Sequence, residues 1–243
     1  MLYFNDEFNN QHCINIILNH QRTNMRLTIP GLILVCFVST NFLFSQDPLR
    51  FQSEIERMIN EPAPPPDKLI IFTGSSSVRM WKDLNEAYPE FNLVNRGFGG
   101  SQMSDLLYYL DDLVLNSNPC QVFIYEGDND INAGKTTEQI ITDAEAVCQK
   151  IWSTHPDITI VLISAKPSMA RWYLKGQYEQ LNQAFKDMAM TYGKLQFADV
   201  WTPSLDPDGI VFKDIFLEDN LHMNAKGYAI WEKTLQPFLR KCD

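Results

Sequence analysis

The segment "DNLHMNAKGYAIW" (219–231) places Asp219 and His222 three residues apart, just before a stretch with helical periodicity. A carboxylate bound to one ring nitrogen of a histidine fixes its tautomer, so that the other nitrogen can act as a base. The chain contains four histidines, and two of them precede residue 25. A single histidine near a helix start is most often structural. A catalytic interpretation therefore requires further groups from the rest of the chain.

Three other short segments carry groups that acyl transfer uses. The segment "FTGSSSVRMW" (72–81) has a glycine that permits a sharp turn, and three serines follow it. A serine hydroxyl can act as a nucleophile when a base lies beside it. The segment "NRGFGG" (95–100) lets the backbone approach a ligand closely, and "GDND" (127–130) contains the amide of Asn129. Backbone N–H groups and side-chain amides are the usual donors to a tetrahedral oxyanion.

The elements that must position these groups follow an alternating pattern. Apolar runs typical of strands buried on both faces occur at 68–74, 91–95, 121–127, 157–164 and 195–200. Helical periodicity occurs at 104–115, 137–155, 178–192 and 224–239, where Asn224 is the expected N-cap. The alternation predicts an α/β fold in three α/β/α layers, with a five-stranded parallel, doubly wound, flavodoxin-like sheet. Ligands bind such sheets at the carboxyl ends of the strands, and the segments above lie there.

This combination resembles the SGNH (GDSL-type) hydrolase family, in the form of a secreted bacterial-type member, over residues 67–243. "GSSS" corresponds to the family's first block, usually Gly-Asp-Ser, and "DNLH" to its last. The resemblance implies a catalytic set of Ser76, Asp219 and His222. It also implies an oxyanion hole formed by the N–H groups of Ser76 and Gly100 with the Asn129 side chain.

One departure from the family pattern concerns the first block. Ser75 stands where the family usually has Asp, so Ser75 and Ser77 remain alternative nucleophiles beside the favoured Ser76. The segment "AKPSMARW" (165–172) also looks like a loop of the subfamily that carries GSSS in place of GDS.

The resemblance implies a serine esterase that hydrolyses carboxylic esters through an acyl-enzyme, without a metal or organic cofactor. Short acyl esters, such as O-acetyl groups on carbohydrates, are the expected substrates. Lys166, Arg171 and Lys175 make the connection 166–177 polar, and a polar rim suits a sugar or a phosphate-bearing alcohol better than a lipid tail. A lysophospholipase or thioesterase of the same family and a non-catalytic binding module on the same fold are the alternatives.

Four further side chains could shape the acyl or alcohol site, and packing roles are at least as common for such residues. The candidate substrate-binding residues are Arg96 and Trp172, with Trp81 and Tyr173 beside them.

Composition limits the number of domains and the class of partner. The chain has 243 residues, 45% of them hydrophobic, which suffices for one good-sized core. Its formal charge is −10, which disfavours nucleic acid and anionic membrane surfaces as main partners. A small-molecule ester fits this balance better.

The N-terminal part is interpreted as a targeting segment. Residues 25–45 have the apolar run of a signal peptide, residues 1–24 are an extension or precede the true start, and 46–66 form a helix and a Pro-rich entry. The interrupted run is shorter than the ~20 residues of a membrane span, although an anchor is the alternative. We therefore expect a secreted or periplasmic protein without a stable span after cleavage.

Three cysteines would remain after cleavage, namely Cys120, Cys148 and Cys242. One disulfide could form in an oxidising compartment, but an odd number does not define the pairing. Structural zinc is not expected, because the sequence has neither a CxxC motif nor a Cys/His cluster.

Overall fold

The computed structural model describes residues 47–61 and 69–242. The predicted extension 1–24, the signal peptide 25–45 and nearly all of the Pro-rich segment lie outside these residues. In the part that is described, no helix is both long and apolar enough to cross a membrane.

The five predicted strands form one sheet in which every pairing is parallel. The strands are β1 Leu69–Gly74, β2 Leu93–Gly97, β3 Pro119–Tyr125, β4 Thr159–Ile163 and β5 Leu195–Ala198. Their order is β2-β1-β3-β4-β5, which is the flavodoxin-like doubly wound order. The predicted fold class is confirmed.

Eight α-helices flank the sheet in the described part of the chain. They are α1 Gln52–Asn60, α2 Ser76–Arg79, α3 Leu84–Ala87, α4 Met103–Tyr108, α5 Asp128–Asn132, α6 Thr137–Thr154, α7 Lys175–Thr191 and α8 Ala225–Leu235. The single helix predicted over 104–115 is instead α4 followed by a π-helical turn, Asp111–Leu115. The three other predicted helices correspond to α6, α7 and α8.

Side chains of β1 show how the three layers are held together. Successive strand residues point to opposite faces of a sheet. Leu69 and Ile71 therefore join one apolar cluster, with residues of α1, α4, α6 and α7. Ile70 and Phe72 join a second cluster on the other face, with residues of α2, α3 and α8. All six residues of β1 are buried, because apolar clusters cover this strand on both faces.

A disulfide joins β3 to the C-terminal segment. Cys120 pairs with Cys242, and their Cα atoms lie 6.0 Å apart. Beside it, Gln121 Nε2 donates to the carbonyl oxygen of Phe238 at 2.8 Å. Cys148 is a buried free thiol on α6. The pairing that the sequence left open is therefore Cys120–Cys242.

The direction of strand addition reverses between β1 and β3. From β1 the chain adds β2 on one side, and β3, β4 and β5 follow on the other. A crevice forms outside the carboxyl ends of the strands at such a switch point. The serine segment follows β1 and the "GDND" segment follows β3, so both flank this crevice.

Candidate active site

A tight turn after β1 carries the serine segment. Gly74 has a φ of +119°, and a Cβ at this position would lie 2.0 Å from the carbonyl oxygen of Tyr125. Only glycine therefore fits. Ser75 is buried, and its backbone N–H donates to the same carbonyl oxygen at 3.0 Å. Ser76 is the first residue of α2, so its N–H belongs to the first turn, where backbone donors lack helical partners.

Of the three serines, Ser76 is the one that contacts His222. Its Oγ lies 3.0 Å from His222 Nε2. On the other side of the ring, His222 Nδ1 lies 2.6 Å from Asp219 Oδ2. The three side chains thus form a continuous Ser–His–Asp hydrogen-bonded series, the arrangement in which a histidine can accept a serine proton.

Asp219 is held by its own loop as well as by the histidine. Its Oδ1 accepts from the backbone N–H groups of Leu221 and His222, both at 2.9 Å. Slight burial raises the pKa of Asp219, but the hydrogen bonds from His222 and from these two N–H groups outweigh it, and the pKa is about 2. Asn220 takes a φ of +57° to close the turn. The carboxylate is therefore ionised and fixed beside the imidazole.

The start of α8 fixes the position of this loop. Asn224 is the N-cap, as predicted, and its Oδ1 accepts from the N–H groups of Lys226 and Gly227. Its Nδ2 donates to the carbonyl oxygen of Phe216 at 2.9 Å. Asn224 thus joins the start of α8 to Phe216, which lies on the other side of the loop that carries Asp219 and His222.

The glycine segment and α5 bring the remaining donors to the same edge. Gly100 has a φ of +76°, a conformation that favours glycine. Asn129, on α5, donates from Nδ2 to the carbonyl oxygen of Ser101 at 2.9 Å. The residue after Gly100 and the Asn129 amide are therefore in direct contact, although 28 residues separate them.

Asp128 lies at the centre of a buried ion cluster beside this amide. Its carboxylate accepts from Arg171 Nη1 and from the Tyr178 hydroxyl, and Lys166 Nζ lies 3.6 Å from its Oδ2. Burial raises the pKa of Asp128, but the charges of Lys166 and Arg171 outweigh it, and the net pKa is lowered. Lys166 also donates to the carbonyl oxygen of Leu221 at 2.7 Å. This cluster therefore contacts both the Asn129 segment and the His222 loop.

The sequence motifs do not predict this cluster, and the expectation for two of its members is wrong. Lys166 and Arg171 were expected to make the rim of the site polar, but Lys166 is 2% exposed and Arg171 turns its guanidinium to Asp128. A signal was present in the sequence: Lys166 and Asp128 each come within three residues of the end of a mostly apolar, buried strand. Charges at such positions must find partners when they are buried.

The candidate substrate-binding residues lie in packed surroundings. The Arg96 guanidinium donates from Nη1 to the carbonyl oxygen of Met58 at 2.7 Å, so it fastens α1 to β2. Trp81 is buried in an aromatic cluster with Tyr228 and Trp231. These contacts favour structural roles for Arg96 and Trp81.

The connection before α7 places two aromatic residues near the His222 loop. Trp172 stacks on Trp201 at 6.1 Å, whereas Tyr173 is 76% exposed. The backbone N–H of Ala170 donates to the carbonyl oxygen of Asn220 at 3.1 Å. The Trp172 segment therefore lies next to the loop that carries Asp219.

Within residues 47–61 and 69–242, no group of three or more His, Cys, Asp or Glu side chains has the geometry to hold a metal ion.

The fold and the Ser–His–Asp series define an ester hydrolase of the α/β/α type, and comparison with known proteins gives the family. Residues 67–230 match the GDSL-like Lipase/Acylhydrolase family. The chain belongs to this family, whose members are lipases and acylhydrolases acting on ester bonds. No curated protein matches the chain.

Solved structures with the same fold come from several bacteria. A candidate platelet activating factor from Streptococcus pneumonia is 26% identical, with a TM-score of 0.70, and the alignment covers 79% of this chain and 92% of that one. A GDSL-like lipase from Bacteroides thetaiotaomicron is 18% identical, with a TM-score of 0.64 and coverage of 79% and 96%. A candidate acylhydrolase from Bacteroides fragilis is 20% identical, with a TM-score of 0.64 and coverage of 78% and 93%.

Proposed function

We propose that the chain is a serine esterase that hydrolyses short acyl esters through an acyl-enzyme on Ser76. The observation that carries the proposal is the hydrogen-bonded series from Ser76 Oγ through His222 to Asp219, at 3.0 and 2.6 Å. A serine hydroxyl in this arrangement can lose its proton to the imidazole as it attacks a carbonyl carbon.

The reaction proceeds in two halves. His222 accepts the Ser76 proton as the Oγ–carbon bond forms, and Asp219 stabilises the resulting imidazolium. The negative oxygen of the tetrahedral intermediate accepts from the N–H groups of Ser76 and Gly100 and from Asn129 Nδ2. His222 then protonates the departing alcohol. Water attacks the acyl-enzyme with His222 again as the base, and the acid and free Ser76 are released.

The nucleophile is tested by substitution and labelling. We expect Ser76→Ala to lower kcat for p-nitrophenyl acetate by about 10⁴-fold or more, with unchanged thermal unfolding. A fluorophosphonate probe should modify Ser76 alone. Ser75→Ala and Ser77→Ala are the matched controls, and both should retain the labelling. Modification at either of those serines would contradict the assignment.

A preference for short acyl chains is supported by the way the Trp172 segment is fastened. Arg171 is bound to Asp128, and Ala170 is bound to Asn220, so the segment is fastened at two points beside the His222 loop. A segment that cannot move aside suits a small acyl group better than a long chain, for which a channel would have to open.

A series of p-nitrophenyl esters from two to sixteen carbons tests the preference. We expect kcat/KM to be greatest for acetyl or butyryl and to fall with longer chains. In an acyl channel each buried CH₂ would instead contribute about 0.8 kcal/mol. A steady rise of kcat/KM with chain length would therefore favour the lysophospholipase or thioesterase alternative.

We also propose that the protein is exported after cleavage near Gln46. The Cys120–Cys242 disulfide supports this, because such bonds persist in oxidising compartments. Intact-mass measurement of protein from the native host provides the test. A mature chain beginning near residue 46 in the extracytoplasmic fraction is expected, and a chain that retains residues 25–45 would favour the anchor.

A further inference from the structure

The Asn129 side chain can serve as an oxyanion donor in only one of its two orientations. A carboxamide rotated by 180° exchanges its oxygen and nitrogen, and the two forms differ only in their hydrogen bonds. Asn129 Oδ1 accepts from both Nη1 and Nη2 of Arg171, each at 3.1 Å. Its Nδ2 donates one proton to the carbonyl oxygen of Ser101 at 2.9 Å. The second Nδ2 proton is then left for a ligand.

The reversed orientation is excluded by the same partners. Rotation would place Nδ2 against a guanidinium, which has donors and no acceptor. It would also place Oδ1 against the carbonyl oxygen of Ser101. Both contacts are repulsive, and Oδ1 would then face the oxyanion. The two donors Nη1 and Nη2 of Arg171, the Arg171 fork, therefore determine which atom of Asn129 faces the oxyanion.

Arg171 is itself held in place by Asp128. Nη1 contacts both the carboxylate and the carbonyl oxygen of Asp128, and its side chain is 14% exposed. Lys166 and the Tyr178 hydroxyl bind the same carboxylate from other directions. Arg171 comes from the connection between β4 and α7, whereas Asn129 is on α5, 42 residues away. The contact is thus a tertiary one with a rigid, buried anchor.

We propose that Arg171 is a positioning residue that fixes the Asn129 amide with Nδ2 facing the oxyanion. The inference rests on the proposed function, because it gives Asn129 the role of an oxyanion donor. Arg171 acts through Asn129 and contributes to kcat only while the amide is present.

Two substitutions of Arg171 probe this role. Arg171→Met removes the fork and should lower kcat by about 10²-fold, within the 10²–10³-fold effect of losing one oxyanion donor. KM should change little, because the interaction is made in the transition state. Arg171→Lys keeps a cation for Asp128 and so protects folding. One ammonium cannot replace the two-nitrogen fork, and we expect a kcat loss of about 10-fold.

A double-mutant cycle with Asn129→Ala separates positioning from general structural damage. If Arg171 acts through the amide, neither Arg171 substitution should lower kcat further by more than about twofold once Asn129 is alanine. Arg50→Met is the matched control, because it removes the cation that pairs with the buried Asp105 carboxylate and leaves Asp128, Arg171 and Asn129 untouched. Its effect on kcat should be the same factor in both backgrounds.

The outcomes distinguish this inference from the proposed function. Loss of activity in Ser76→Ala and Asn129→Ala, with Arg171 effects that multiply with that of Asn129→Ala, would overturn the positioning role alone. A folded Arg171→Lys protein with wild-type kcat would overturn it as well. Full activity in Ser76→Ala would overturn the proposed function first, whatever the Arg171 variants show.

Discussion

Glu126 is a carboxyl group next to the glycine segment of the site, and the fold raises its pKa well above the usual range. It is fully buried, and its Oε1 is within hydrogen-bond distance of Ser101 Oγ. Ser101 Oγ also lies 3.2 Å from the carbonyl oxygen of Phe98. The hydroxyl has one proton. If that proton binds the Phe98 carbonyl, Glu126 must supply a proton of its own to Ser101 Oγ. Glu126 Oε2 is buried without a hydrogen-bond partner among the described residues, which also favours the neutral acid.

Burial raises the pKa of Glu126 well above its usual range, and the nearby Asp130 charge raises it further. Above the ordinary carboxyl pKa of about 4.3 the unfolded chain loses this proton while the folded protein keeps it. The folded state then binds more protons than the unfolded state, so this group lowers stability as pH rises.

Replacement of Glu126 by glutamine should remove this pH dependence. Gln can donate from its amide to Ser101 Oγ as the protonated acid does, and it never ionises. We expect the free energy of unfolding of Glu126→Gln to exceed that of the wild type by a margin that grows from pH 4 to pH 8. Urea unfolding at pH 4, 6 and 8 measures the margin. A margin that stays constant over this range would contradict a protonated Glu126.

The members of the hydrogen-bonded Ser–His–Asp series could be predicted from the sequence because each lies within a short local motif. "GSSS" and "DNLH" carry Ser76, Asp219 and His222 in a few residues each. The Asp128 cluster could not be found in this way, since Arg171 reaches Asp128 across 43 residues. Which buried charge pairs with which depends on tertiary packing and not on local spacing.

Among the elements, α2 is placed by a close approach to β2 that requires a glycine. A Cβ on Gly97 would lie 2.3 Å from the backbone nitrogen of Arg79 and 2.8 Å from the carbonyl carbon of Val78. Backbone atoms cannot yield to such a contact unless the helix moves. Because α2 begins with Ser76, the distance between α2 and β2 sets the position of the Ser76 hydroxyl.

Gly97→Ala should therefore lower both activity and stability. We expect kcat to fall at least about 10-fold, because a displacement near 1 Å can cost 10²-fold. The free energy of unfolding should fall by about 1–3 kcal/mol, as overpacking usually costs. Gly176→Ala is the control: its Cβ meets nothing within 4 Å at the start of α7, so kcat should not change. Wild-type kinetics in Gly97→Ala would refute the argument.

The long elements were predictable and the short ones were not. Each of β1 and β3 contains a run of four apolar residues, LIIF and VFIY. Helices α6 and α7 extend over 18 and 17 residues, which is long enough for a helical period to appear. Helices α2 and α3 have four residues each. A helix of a single turn is too short to show a helical period in the sequence. These two helices form because the loops that contain them pack against the sheet.

At the scale of the whole molecule, the Cys120–Cys242 bond closes the second half of the chain on itself. The bond spans 122 residues and joins the C-terminal segment to the central sheet. A covalent link over such a length restricts the unfolded chain, and loops near 100 residues are associated with about 4–5 kcal/mol in the chain-entropy account.

Removal of the bond should lower stability without changing the chemistry. We expect Cys242→Ser to reduce the free energy of unfolding by about 2–4 kcal/mol and to leave kcat unchanged. Reductant should produce a similar loss in the wild type and none in Cys242→Ser. If reductant destabilised Cys242→Ser by the same amount, the loss would have to come from another source.

The same bond shortens the search that assembles the site. Along the backbone, 146 residues separate Ser76 from His222. A route from Ser76 to Cys120, across the bridge, and back from Cys242 to His222 is less than half as long. Closing a shorter loop costs less entropy, and contacts near in the chain form faster. Once the disulfide has formed, Ser76 and His222 are therefore closer neighbours along the cross-linked chain than along the linear one.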